Sequence, residues 1–169
     1  MREPDFVSFE CNGWEVTQVT ASYKRDLLRD YAIKYNLKTY VETGIYDGGT
    51  LLALHDLFDH AYAIEIDEGF YQAAASKFAD WTNFTLINGD SAVELPKIIS
   101  KLLGPTLFWI DAHNADFVGP VVAELSAIFA SDVKGVVLVD DMDFIKDVLP
   151  SDLRWDETSE YGIDRFVRI

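Results

Sequence analysis

The sequence predicts a single α/β domain built on a doubly wound, mainly parallel sheet. The 169 residues are enough for one domain with its own hydrophobic core. From about residue 39 onward, strand-like and helix-like segments alternate, which favours parallel strands joined by helices. The strand-like segments are near-continuous apolar runs, as expected of strands that helices cover on both faces.

Residues 1–21 predict a hairpin extension, and residues 22–169 predict the α/β core. Asn12-Gly13 within FECNGWEV is a strong signal for a two-residue hairpin turn. The pairs that face each other would be Cys11 with Trp14 and Phe9 with Val16. Because an isolated hairpin is only marginally stable, we expect it to pack on the core or on a second subunit, which leaves a homodimer open.

The core is predicted to alternate strands and helices in chain order. A first helix over Tyr23–Tyr35 precedes strands at Thr39–Thr43, Ala61–Ile66, Thr85–Ile87, Thr106–Ile110 and Val136–Val139. Helices between them are predicted at Thr50–Phe58, Phe70–Ala79, Ala92–Leu103 and Pro120–Ala130. Ser91 and Glu94 have the spacing of a capping box, and Pro120 suits the first turn of its helix. The segment RFVRI near the end predicts one last strand.

Composition excludes several classes of partner. The formal net charge is −15, from 29 acidic and 14 basic residues, and this balance repels nucleic acid. The longest apolar runs have the length of strands, so we expect no membrane span. The first ten residues lack the apolar region of a signal peptide, and the single cysteine, Cys11, suits a reducing compartment; both favour a cytoplasmic protein.

The loop VETGIYDGGT, residues 41–50, joins the first core strand to its helix. Its glycines, Gly44, Gly48 and Gly49, allow the backbone to approach a ligand at a helix N-terminus. Their spacing is not that of the dinucleotide-binding G-x-G-x-x-G motif, which argues against a dinucleotide. A tight turn without any ligand is an equally good interpretation of the loop alone.

Acidic residues end the next two strands. Glu65 and Asp67 follow the glycine loop by about 20 residues, where an acid can accept hydrogen bonds from ribose hydroxyls. Asp67 also suits the N-cap of the next helix, so we assign the cap to Asp67 and the ribose to Glu65. Asp90 follows Gly89 at the third strand end, where it either meets a base or ends the strand.

The fourth and fifth strands also end in polar residues: IDAH carries Asp111 and His113, and VDDM carries Asp140 and Asp141. Because these strands are expected side by side, three carboxylates would meet and repel one another without a counter-charge. A divalent cation such as Mg²⁺ would supply that charge. Successive strand residues alternate faces, however, so Asp140 and Asp141 point apart unless the strand breaks. His113 is placed to act as a general base, or is a hydrogen-bonded loop residue.

With these residues, the chain resembles the class I S-adenosylmethionine-dependent methyltransferases over about residues 40–142. IDAH followed by VDDM is similar to the metal-dependent small-molecule O-methyltransferases, including the macrocin O-methyltransferase group. The run ETG, IEID, GDS, DAH, PVVAEL, VDD also resembles short methyltransferase-like proteins. The sugar methyltransferases carry an acid as base where this chain has His113, which leaves the base open.

The resemblance implies a Rossmann-like sheet of order 3-2-1-4-5 with a short terminal strand. It implies cofactor-binding residues for S-adenosylmethionine at Glu42, Thr43, Gly44, Gly48, Gly49, Thr50, Glu65, Ile66, Asp90, Ser91 and Asp111. It also implies Mg²⁺ at Asp111, Asp140 and Asp141, with catalytic roles for Asp111 and His113. The expected activity is methylation of a small hydroxylated molecule, such as a sugar or catechol.

Two other functions stay open. The short C-terminal part leaves the acceptor pocket open, completed by a second subunit, or absent, so a cofactor-binding module that acts through a partner is one alternative. A nicotinamide-dependent oxidoreductase is the other, and the glycine spacing argues against it. Fold alone does not choose among these functions.

Overall fold

An antiparallel hairpin and a helix precede the central sheet, as predicted. The computed structural model describes residues 5–11, 14–112, 120–140, 156–160 and 163–168. Strands β1 (Phe6–Cys11) and β2 (Trp14–Val19) pair in the predicted register, and helix α1 covers Ala21–Lys34. Thr20 caps this helix, because its side chain accepts a hydrogen bond from the Tyr23 amide at 3.3 Å.

Five parallel strands form the centre of the sheet. They are β3 (Thr39–Thr43), β4 (His60–Glu65), β5 (Phe84–Asn88), β6 (Thr106–Ile110) and β7 (Gly135–Val139). Their spatial order is β5-β4-β3-β6-β7, which is the predicted 3-2-1-4-5 when these strands are counted along the chain. The carboxyl ends of all five strands therefore meet at one edge of the sheet.

Two antiparallel strands extend the sheet beyond β7, where one was expected. RFVRI lies largely in β9 (Ile163–Arg168), which pairs with β7, and β8 (Asp156–Glu160) pairs with β9 at the edge. The predicted terminal strand is therefore confirmed as β9, and β8 is an additional strand that the sequence did not predict. The sequence of β8, DETSE, has no apolar residue, so its pairing with β9 leaves no hydrophobic signal in the sequence.

Three of the four helices between the strands are shorter than predicted, and α3 has the predicted length but begins two residues earlier. They are α2 (Gly49–Leu54), which continues as a 3₁₀ turn over His55–Leu57, α3 (Glu68–Lys77), α4 (Ser91–Ile99) and α5 (Val121–Ala130). The predicted capping box is wrong: Asp90 caps α4 by accepting from the Ala92 amide at 2.9 Å, and Glu94 pairs with Lys97. Within the described residues, no helix combines the length and apolarity that crossing a membrane requires.

Helices cover both faces of the sheet, and successive strand residues alternate between them. On the face covered by α1, α2 and α3, Tyr40 and Trp109 pack with Leu28; we call it the α1 face. On the face covered by α4 and α5, Val41 and Ile110 pack with residues such as Leu125; we call it the α5 face. This alternation places Glu42 on the α1 face and Thr43 on the α5 face.

Candidate functional site

A pocket of about 650 Å³ opens at the carboxyl edge of the sheet, a size typical of small-molecule sites. It spans the ends of β3, β4, β5 and β6, at the point where the chain order reverses across the sheet, the usual ligand position in such folds. Six of the predicted cofactor residues line it: Gly44, Glu65, Ile66, Asp90, Ser91 and Asp111. The other predicted cofactor residues are not among its described wall residues: Glu42, Thr43, Gly48, Gly49 and Thr50.

Gly44 forms the floor of the pocket where β3 meets β6. Its φ of 77° lies in the left-handed region, and an added Cβ would stand 3.0 Å from the Asp111 carbonyl oxygen. A side chain at this position would therefore strain the backbone and push the β6 end away. Gly48 also has a positive φ, of 68°, but it packs against the ring of Phe78 rather than toward the pocket.

The Glu65 carboxylate is held in place by two backbone amides. Tyr46 donates to one oxygen at 3.1 Å, and Asp67 donates to the other at 2.9 Å. Asp67 itself caps α3 by accepting from the Phe70 amide at 3.0 Å, as predicted. Glu65 is thus a fixed acceptor on the pocket wall, while its contact with a ribose stays a prediction.

Aromatic residues that the sequence did not single out stand at the pocket. Tyr46 and Phe70 line it, with ring centroids 4.7 Å apart, and their exposed fractions are 64% and 40%. Such a pair offers an apolar surface to a flat ligand group. The sequence predicts a helix start at Phe70 and a turn at Tyr46, and neither position carries a spacing signal for binding. The remaining unpredicted wall residues are Ile64, Asp67, Gly89, Ala92, Ala112 and Pro120.

Asp111 lies at the boundary between the pocket and the α1 face. The Trp109 indole N–H donates to its carboxylate at 3.2 Å, and the Asp111 amide donates to the Thr43 carbonyl at 3.3 Å. Trp109 is buried in the core. His113, the predicted base, lies outside the described residues, and so its role stays a prediction.

The predicted metal ligands are only partly described. The Asp140 amide donates to the Ile110 carbonyl at 3.1 Å, so Asp111 and Asp140 follow neighbouring strands at the same level. The ammonium of Lys24 on α1 donates to Asp140 Oδ2. Asp141 lies outside the described residues, within which no group of three or more His, Cys, Asp or Glu side chains could hold a metal ion.

The ion pair between Lys24 and Asp140 weakens the prediction of a Mg²⁺ site. The prediction of a metal depended on the need for a positive charge among the carboxylates, and Lys24 already brings one to Asp140. A divalent ion at Asp140 would have to displace the ammonium. The described residues therefore do not fit the predicted metal site.

Two buried carboxyl groups lie behind the pocket. Burial raises the pKa of Glu42 well above its ordinary value; the negative charge of Asp111 adds to the rise, and Arg25 opposes it. Burial raises the pKa of Glu124 on α5 from 4.5 to about 7. The Ser91 and Thr43 hydroxyls lie near enough to Glu124 to limit this rise, but neither makes a well-formed hydrogen bond with it.

Comparison with known proteins identifies the fold. No protein-family model matches the sequence, and no curated protein matches it. Among solved structures, the chain is similar to the O-methyltransferase TomG from Streptomyces achromogenes, in complex with SAM, with a TM-score of 0.63 and 17% identity over 89% of this chain and 81% of that one. The SAH-bound methyltransferase PaMTH1 from Podospora anserina gives a TM-score of 0.63 at 18% identity, over 89% and 80%.

A third neighbour, the 23S rRNA methyltransferase ErmE, gives a TM-score of 0.59 at 15% identity, over 86% of this chain and 68% of that one. At these identities the likeness establishes the architecture. The protein has the fold of the class I S-adenosylmethionine-dependent methyltransferases, as the resemblance of its motifs predicts.

Proposed function

We propose that the protein is an S-adenosylmethionine-dependent methyltransferase that acts on a small hydroxylated molecule, with a sugar or a catechol as the expected type. The observation that carries the proposal is the pocket at the reversal point of a methyltransferase-type sheet, with Gly44, Glu65, Asp90 and Asp111 on its wall. Several structural neighbours are methyltransferases, including the O-methyltransferase TomG in complex with SAM.

The charge of the wall favours a cationic cofactor. Four carboxylates line the pocket, at Glu65, Asp67, Asp90 and Asp111, and no Lys, Arg or His is among its described wall residues. S-adenosylmethionine carries a sulfonium and an ammonium, which such a wall attracts. The pyrophosphate of a nicotinamide dinucleotide would be repelled, and this argues against the oxidoreductase alternative.

The proposed contacts follow from position on the wall. Glu65, already oriented by two amides, would accept from the ribose hydroxyls, and Asp90 would lie near the adenine. The rings of Tyr46 and Phe70 would cover an apolar part of the nucleoside. Gly44 would let the backbone approach the methionine part, beside Asp111.

The proposed reaction is a direct displacement. The acceptor oxygen attacks the methyl carbon, the carbon–sulfur bond breaks, and its electron pair neutralises the sulfonium. The acceptor proton passes to a base, for which His113 is the candidate. Alignment of the two reactants would contribute the main acceleration, since effective molarities correspond to up to roughly 7–11 kcal/mol.

The acidity of the chain argues for a small acceptor rather than RNA. Phosphate backbones require basic side chains to neutralise them, whereas this chain has a net charge of −15. The similarity to an rRNA methyltransferase therefore extends to the fold and not to the expected substrate.

Transfer of a radiolabelled methyl group tests the proposal. Protein and methyl-labelled S-adenosylmethionine would be incubated with sugars, catechols and simple alcohols, and methylated products identified by mass spectrometry. We expect a methyl ether with at least one acceptor class, and a loss of at least 100-fold in rate for Asp111→Asn. The exposed Asp80→Asn change serves as a matched control. Cofactor binding without transfer to any acceptor would instead support the non-catalytic binding module.

A further inference from the structure

Helix α1 brings two cationic residues to the carboxyl edge of the sheet. The Thr20 cap fixes the first turn, in which the Lys24 amide donates to the Thr20 carbonyl at 3.1 Å. Leu28, fully buried one turn later, anchors the helix on the sheet. The positions of Lys24 and Arg25 above the strand ends are therefore set by the packing of the helix.

Three carboxyl groups follow or end neighbouring strands on the α1 face. Glu42, Asp111 and Asp140 belong to the ends of β3, β6 and β7, which are consecutive neighbours in the sheet. Adjacent strands lie about 4.8 Å apart, so the three groups would repel one another strongly if all were ionised without a counter-charge. Protonation of Glu42, which its raised pKa favours, relieves part of this repulsion, and a nearby positive charge relieves more of it.

The chain itself supplies that charge. The side chains of Lys24 and Asp140 are 16% and 7% exposed, and the ammonium donates directly to Asp140 Oδ2. Arg25 acts on the neighbouring acid, since its positive charge opposes the rise in the pKa of Glu42. Arg25 also lies against the glycine loop, where a Cβ added to Gly49 would meet its guanidinium at 2.5 Å.

We infer that Lys24 is a built-in cation of this site, which occupies the place at Asp140 that a divalent metal ion would need. Within the part of this edge that the structure describes, no divalent ion is then required, and Lys24 is a positioning residue that holds Asp140 beside Asp111. Independence of methyl transfer from metal rests on the proposed function, whereas the competition between Lys24 and a metal ion does not.

An ammonium and a divalent metal ion differ in how many hydroxyl groups of the methyl acceptor they bind. A metal ion with open coordination positions binds two oxygens of a vicinal diol at once. The ammonium of a lysine is a compact single charge that donates hydrogen bonds. We therefore expect acceptors with one hydroxyl to be methylated as readily as those with two adjacent hydroxyls.

Binding of Mn²⁺ alone, followed by electron paramagnetic resonance in 150 mM salt, tests the inference without any activity. Wild-type protein should show no Mn²⁺ site that depends on Asp140. Lys24→Met should bind Mn²⁺ at least tenfold more tightly than wild type, because the ammonium then no longer competes with the metal for the Asp140 carboxylate. Adding Asp140→Asn to Lys24→Met should remove the gain.

Two controls separate this effect from general charge. Lys97→Met removes a lysine from the exposed pair with Glu94 on α4 and should not raise Mn²⁺ affinity. Lys24→Arg keeps a cation at the site and should resemble wild type.

Mn²⁺ binding by wild type that Asp140→Asn abolishes would overturn the inference, and so would folded Lys24→Met that gains none. If Lys24→Met fails to fold, the comparison of Mn²⁺ binding by wild type and by Asp140→Asn still tests the inference. Titration of the same samples with S-adenosylhomocysteine tests the proposed methyltransferase function separately from the role of Lys24. If wild-type protein does not bind S-adenosylhomocysteine, that result counts against the proposed function alone.

Discussion

At the carboxyl edge of the sheet, the acidic residues of the two faces differ in whether they contact a cation. Asp140 on the α1 face does so, whereas Glu124 on the α5 face is buried without a hydrogen-bond partner among the described residues. On the α1 face, Asp140 pairs with the Lys24 ammonium. Burial raises the pKa of the neighbouring Glu42 well above its ordinary value, and Arg25 only opposes that rise. On the α5 face, Glu124 is fully buried, and only the hydroxyls of Ser91 and Thr43 limit the rise of its pKa to about 7. Glu42 and Asp140 lie on the same α1 face, yet only the pKa of Glu42 is raised by burial well above its ordinary value. The comparison therefore shows that direct contact with a cation, and not the face of the sheet, distinguishes Asp140 from the buried acids.

An acid in an ion pair and a buried acid without a cation also differ in how they affect the electrostatics of the site. Asp140 is in direct contact with an ammonium and contributes to the potential of the site as one half of an ion pair. A buried acid with a pKa near 7 changes charge within the physiological range, and its state therefore depends on pH and on nearby positive charge.

The largest expected effect comes from breaking the pair on the α1 face. Lys24→Met leaves the nearly buried Asp140 without its cation, and this should lower the free energy of unfolding by about 3–5 kcal/mol. Urea denaturation measures the change. Lys97→Met, at an exposed pair, should cost less than about 1 kcal/mol.

The double variant Lys24→Met/Asp140→Leu sharpens this result, because it removes both charges. It should regain most of the stability that Lys24→Met loses. If the single and double variants lose the same free energy of unfolding, the ion pair between Lys24 and Asp140 does not stabilise this edge.

The next largest effect concerns Glu124 on the α5 face. Its pKa is higher in the folded protein than in the unfolded chain, so folding favours its protonated form. Its contribution to stability is complete below pH 4.5 and is lost as pH rises through about 7. The loss amounts to roughly 3 kcal/mol, at about 1.4 kcal/mol per pKa unit.

Urea denaturation of wild type and Glu124→Gln at several pH values between 4.5 and 8 measures this effect. The stability of the variant relative to wild type should rise with pH over that interval, because glutamine stays neutral. A difference that is constant with pH would show that Glu124 does not titrate there.

The smallest effect comes from the hydroxyls around Glu124. Ser91→Ala removes one of the two groups that lower the pKa of this carboxyl, so the pKa should rise further. We expect a shift of a few tenths of a unit, measured by carbon-13 NMR of labelled glutamate side chains. A shift in the opposite direction would mean that the Ser91 hydroxyl does not favour the charged form.

The sequence predicts the central strands well because both of their faces are buried. Strands β3 and β6 have the predicted bounds, since an apolar run that ends in a polar residue marks both ends of a buried strand. The same pattern locates the pocket: Gly44, Glu65, Asp90 and Asp111 follow successive strands and meet at one edge.

Features that depend on distant contacts were not predictable. Lys24 lies 116 residues before Asp140, and nothing in the sequence of α1 shows which strand end it reaches. The burial of Glu124 likewise depends on how α5 packs beside α4. The cap of α4 was misplaced because Asp90 and Ser91 are adjacent and both suit an N-cap, and only the end of β5 decides between them.

Calorimetric titration with S-adenosylmethionine and S-adenosylhomocysteine tests the central claim most directly. Wild-type protein should bind one molecule of either, with no binding of NAD. Gly44→Ala should weaken the affinity at least tenfold, because its Cβ would stand 3.0 Å from the Asp111 carbonyl oxygen. Gly104→Ala, whose Cβ would have no neighbour within 4 Å, should match wild type. Absence of binding by wild type, or equal affinity in Gly44→Ala, would contradict the assignment of this pocket to the cofactor.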